Sequence, residues 1–121
     1  MTPDELRART MRFGLSVIDM VESLPRRRAV DVIGGQLIRA GTSVGSNYRA
    51  ACRAKSNADF ISKMGTVEEE LDESLYWLEV LRESKILTAE GVKALMEEAE
   101  ELLAITVSSI NTARGKKRGD S

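Results

Sequence analysis

Histidine is absent from this chain of 121 residues, and cysteine occurs once, at Cys52. Without histidine there is no imidazole base, no usual zinc ligand and no Glu-x-x-His pair of the kind that di-iron bundles use. One thiol builds neither an intrachain disulfide nor a thiolate metal site, and it gives no sign of an oxidising compartment. Nothing acidic or imidazole-bearing stands beside Cys52 as a base, so it reads as a small packing residue. Two prolines and five aromatic residues are too few for a β-rich domain. No apolar run approaches the roughly 20 residues of a membrane span. The opening MTPDELRART is polar throughout, without the apolar core of a signal peptide. The glycines at 34–35 and 41–45 match no phosphate-cradling pattern. These absences lead to the expectation of a cytoplasmic protein with no membrane contact, no cofactor, no metal and no enzymatic chemistry.

What the chain does have is helical periodicity and charge. Residues 1–63 carry eleven Lys and Arg against six Asp and Glu, whereas residues 64–121 carry seven against thirteen. The halves are oppositely charged, which supports pairing between helices or leaves one basic surface free. Helix one opens on Thr2-Pro3-Asp4-Glu5, a capping box with proline at the first helical position. Its apolar stripe is Leu6, Thr10, Phe13, Val17, Met20 and Leu24, and Pro25 ends it. Helix two spans about Arg27 to Lys55, with Val30, Ile33, Leu37, Ala40, Val44 and Ala51 inward. Helix three begins at the Ser56-Asn57 caps and lines up Phe60, Met64, Val67, Leu71, Leu75 and Leu78. Helix four follows Thr88, with its stripe from Val92 through Leu102 to Ile110, and stops at Gly115. Four such helices with short connections imply an all-α, antiparallel up-and-down four-helix bundle over 1–115, with 116–121 a disordered basic tail.

Two helices are apolar on a second side. Tyr76 and Val80 lie about 150–170° from the helix-three core stripe and Trp77 about 100° round it. Met11, Leu15 and Ile18 face away from Phe13 and Val17 on helix one. Clustered at helical spacing, these six residues read as a subunit interface anchored by Tyr76 and Trp77. Scattered surface hydrophobes are the plainer alternative. On helix two, Gly34, Gly41, Gly45 and Cys52 fall almost on one line, which requires another backbone close by, in the same subunit or a neighbour.

The basic residues also align. Arg28, Arg39, Arg49 and Arg53 occupy one arc of helix two over roughly 37 Å of axis, opposite its core stripe. Lys55 extends that arc, and Tyr48 is the one aromatic near it. Such a line can track a phosphate backbone; equally, its arginines can pair with the acids of helix three. The carboxylates at 68–73 and 97–101 point in successive directions around their helices, as a solvated face does.

Gln36-Leu37-Ile38-Arg39, Thr42-Ser43-Val44-Gly45-Ser46-Asn47, Arg49-Ala50-Ala51 and Arg53 form a recognisable run. It continues through Phe60, Lys63, Glu68-Glu69-Glu70-Leu71 and Glu73-Ser74-Leu75-Tyr76-Trp77-Leu78. In these residues the chain resembles the bacterial four-helix-bundle proteins encoded in intervening sequences of 23S ribosomal RNA genes, often mislabelled as ribosomal proteins. These are related to the accessory variability determinant of diversity-generating retroelements. The resemblance implies a ring-like homo-oligomer, commonly a pentamer. It also implies, from the retroelement relatives, binding to RNA or DNA and to a reverse transcriptase. Arg39, Arg49, Arg53 and Lys63 are the positions it carries over as a nucleic-acid surface. The expected function is that of a non-enzymatic accessory protein binding nucleic acid through Arg28, Arg39, Arg49, Arg53, Lys55 and Lys63; the alternative is a protein-interaction scaffold without nucleic acid.

Overall fold

The computed structural model describes residues 1–115, all of its regular structure helical; the basic tail expected at 116–121 lies outside them. The helices are α1 (Pro3–Glu22), α2 (Arg28–Cys52), α3 (Asn57–Glu83) and α4 (Ala89–Ala113). Three of the four starts have a side-chain cap; α2, which follows Arg27, has none. Thr2 Oγ1 accepts from the Glu5 amide at 3.1 Å, Ser56 Oγ from the Asp59 amide at 3.0 Å, and Thr88 Oγ1 from the Gly91 amide at 2.9 Å. These bonds satisfy amides that the first turn leaves without a carbonyl. Only one half of the expected capping box forms at Thr2: among the described residues the Thr2 amide donates no hydrogen bond to the Glu5 carboxylate. Asn57 does not cap: its amide reaches the Ala113 carbonyl at 2.7 Å and ties the start of α3 to the end of α4.

Helix α2 ends three residues before the position expected from sequence. The Arg53 and Ala54 amides turn back to Ala50 and Ala51 in a tight turn that frees Ser56 to start α3. Gly115 stops α4 as expected, at φ +79°. Between α3 and α4 the left-handed position falls to Lys85, at φ 64°, where a side chain has to be tolerated.

Neighbouring helices run antiparallel in ring order α1–α2–α3–α4, with α1 and α4 closing the bundle over the shortest shared surface. The core holds the residues the periodicity marked: Phe13, Val17, Leu37, Val44, Met64, Leu71, Leu78 and Leu102 are at most 1% exposed. Each such side chain contributes about 1.5–3 kcal/mol of apolar burial. Three hydroxyls enter the core without becoming orphans. Thr10, Ser74 and Thr106 donate to the carbonyls four residues earlier at 2.8–2.9 Å. No helix among the described residues is long and apolar enough to cross a membrane.

The glycine line of α2 meets α1 of the same chain. A Cβ on Gly41 would lie 2.9 Å from a Val17 methyl, and one on Gly45 would lie 3.4 Å from the Thr10 backbone. From α1, Gly14 faces the backbone of Gly41 and Thr42. Cys52 stands off this contact, half-buried near Tyr48 at the end of the bundle.

Candidate nucleic-acid and subunit surfaces

The arginines that form one arc on an ideal helix do three different things here. Arg28 is exposed at the first residue of α2, about 30 Å along the axis from Arg49. Arg39, in the middle, turns toward α3. Its guanidinium donates to Glu73 and, at 3.3 Å, to Glu70. Glu73 also accepts from the Trp77 indole at 3.1 Å. That indole bond and the Arg39 charge hold the Glu73 carboxyl below its ordinary range. Two carboxylates around one guanidinium leave this stretch net negative. The pairing is solvent-exposed and adds little to stability, but it removes Arg39 from a line of free cations.

Arg49 and Arg53, one turn apart, behave differently: neither makes an ion pair among the described residues. Together with Lys55 and Lys63 they line a cleft of about 360 Å³ where α2 ends and α3 begins. Asp59 is the one carboxylate in that cleft. It is already engaged, accepting from Lys63 Nζ at 2.6 Å and from the Lys55 amide at 3.1 Å. Those bonds, Lys63 first, hold its carboxyl below the ordinary range. Tyr48, which the sequence placed near the basic arc, is in the core at 6% exposure. Burial and the neighbouring Cys52 push its hydroxyl up to about 12. The cleft therefore offers cations without an aromatic platform, an arrangement suited to phosphates and not to base stacking.

The second apolar faces also separate. Met11 and Leu15 are 60% and 52% exposed, and Tyr76 is 56% exposed. Ile18, Trp77 and Val80 are half-buried. Trp77 packs against the core edge and meets Tyr76 edge-on, with ring centroids 5.0 Å apart. On the other side of the bundle, Met11, Leu15 and Ile18 line a groove of about 690 Å³ between α1 and α2, whose opposite wall includes Thr42, Ser46 and Arg49. Gly14 and Gly45 have no side chains to fill its floor. The glycines thus bring the two backbones together and also leave a hollow beside the exposed methionine and leucine.

A model of the 23S rRNA-intervening sequence protein family matches residues 5–108, nearly the whole helical part. The chain belongs to that family. A crystal structure from Bacteroides thetaiotaomicron, of an S23 ribosomal protein family member of unknown function, is similar to it at 29% identity and a TM-score of 0.85, covering 92% of this chain and 99% of that one. No curated protein matches the chain. Membership accounts for the four-helix architecture and leaves the chemistry to the surfaces of this family member.

Two features lay beyond the sequence reading. Arg9 clamps α1 to α4, donating to Glu98 at 2.8 and 2.6 Å and to Glu101 at 3.0 Å. Nothing in the local pattern marks Arg9 among the arginines of α1, since its partners are about ninety residues away. The groove was the other: its apolar wall was visible in the periodicity of α1, but not the facing wall from α2.

Proposed function

We propose that this chain is a non-enzymatic accessory protein that self-associates, in a ring of copies, and holds nucleic-acid phosphates at the corner formed by Arg49, Arg53, Lys55 and Lys63. One observation carries the nucleic-acid part: four cations line a cleft whose one carboxylate is already engaged. A phosphate entering there meets uncompensated charge, and each contact releases counterions, strengthening binding as salt falls. The corner replaces the continuous arc from Arg28 to Arg53. Titration of labelled single- and double-stranded RNA and DNA by fluorescence anisotropy, over a range of salt, tests it. With four phosphate contacts on duplex DNA, the logarithm of the binding constant falls with the logarithm of salt at a slope of about −3 to −4. Absence of binding at low ionic strength removes the reading.

The scaffold reading gains from Arg39, whose guanidinium is spent on Glu70 and Glu73. It is the conclusion to adopt if the corner proves inert toward oligonucleotides while self-association persists.

A further inference from the structure

We propose that the groove between α1 and α2 is the socket for the outer face of α3 of a second copy of this chain. This rests on the self-association proposed above and names the two surfaces that make it.

The socket is apolar with a basic edge. Met11 and Leu15 stand in solvent on one wall, Ile18 is half-buried beside them, and Arg49 and Arg53 lie along the other side. Neither arginine has a carboxylate partner among the described residues. What fits is a helix with an aromatic or aliphatic crest flanked by acids, and the chain carries one. The most exposed line of α3 is Glu69, Asp72, Tyr76, Glu79 and Glu83, spaced three and four residues apart on a single face. Four carboxylates thus surround one exposed ring. Glu83 pairs with Arg82, whereas Glu69, Asp72 and Glu79 make no ion pair among the described residues. Tyr76 is braced edge-on by Trp77, whose indole is fixed on Glu73, so the ring loses little freedom on docking. The opposite charges of the two halves of the chain are here two complementary surfaces: basic on the socket, acidic on the ridge.

Socket and ridge lie on different helices, so one copy's ridge fills the next copy's socket head to tail. Such a contact leaves a free socket at one end and a free ridge at the other until the series closes into a ring. Arg49 and Arg53 line both the groove and the basic cleft, so a docked ridge competes with phosphates for them, whereas Lys55 and Lys63 line the cleft alone.

The test is complementation between two variants. Leu15→Asp places a charge in the socket and leaves the ridge intact; Tyr76→Asp does the reverse. Both positions are solvent-exposed, and far-UV circular dichroism checks that the helices persist. By light scattering, the wild-type chain is expected at a multiple of 13.3 kDa and each variant alone at 13.3 kDa. An equimolar mixture is expected to form a complex of two chains and nothing larger, because one intact socket meets one intact ridge and neither end can propagate. If the wild type assembles but the mixture stays at single-chain mass, or if either variant assembles like the wild type, this contact is wrong and self-association uses other faces. A wild type at 13.3 kDa overturns both the contact and the self-association. Oligonucleotide binding by the cleft is measured on Leu15→Asp, in which no partner ridge covers Arg49 and Arg53.

Discussion

Two alanine substitutions six residues apart on α2 should differ in their effect on stability. Gly35 is exposed, and a Cβ placed on it meets nothing within 4 Å. Gly35→Ala removes the conformational cost of glycine in a helix interior, about 1 kcal/mol, and should raise Tm by about 4 °C in a chain of this size. At Gly41 the same Cβ lies 2.9, 3.1 and 3.2 Å from three carbons of Val17. Val17 is fully buried, and its β-branched side chain has essentially one rotamer available in a helix. The strain therefore passes to the separation of α1 from α2, at a typical overpacking cost of about 1–3 kcal/mol. Against the same helix gain, Gly41→Ala should fall between neutral and about 2 kcal/mol less stable than the wild type. The sharper quantity is the gap between the two variants, about 1–3 kcal/mol, or roughly 4–12 °C in Tm. Thermal and urea unfolding followed by far-UV circular dichroism at one fixed protein concentration measures it. In a Val17→Ala background the penalty at Gly41 should largely disappear, since the two sites share the contact. Equal stability of Gly35→Ala and Gly41→Ala would refute the close approach of α1 and α2.

Charge reversal at the corner, Arg49→Glu with Arg53→Glu, should abolish oligonucleotide binding, while Arg39→Ala changes affinity less than about twofold; neutral alanines at Arg49 and Arg53 should reduce the salt slope by about 2. Equal losses at Arg39 and Arg49 would restore the continuous arc. The Arg9 clamp predicts an acid-sensitive seam between α1 and α4. The hydrogen bond from Arg9 lowers the Glu98 pKa in the folded state, so this stabilisation is present above the ordinary glutamate value of 4.5 and is lost as pH falls through the lower folded value. Stability measured against pH should therefore decline less steeply on acidification in Arg9→Met than in the wild type, and parallel curves would show the clamp to be idle. Lys85→Gly should raise stability by about 1 kcal/mol in urea unfolding, because glycine takes the left-handed conformation at 64° without the steric cost that a Cβ imposes.

The four-helix architecture is legible in local signals alone. Apolar residues at three- and four-residue spacing sort each helix into an inner and an outer side, and hydroxyl caps with Pro25 and Gly115 set most of the ends. These are local rules, acting within one or two turns. Local rules also showed that Met11, Leu15 and Tyr76 point outward and that the glycine line needs a close neighbour. Which neighbour, only the packing decided, since α1 reaches the α2 glycines by folding back through Pro25. The basic arc divides for the same reason. Angles around one helix say nothing of what stands opposite, and Glu70 and Glu73 on α3 claim Arg39 while Arg49 and Arg53 meet Lys55 and Lys63. Tyr48 went to the core because the end of the bundle closes over it. Helical periodicity records the side on which a residue sits; the charge it finally faces depends on contacts tens of residues away, and those exist only once the helices are side by side.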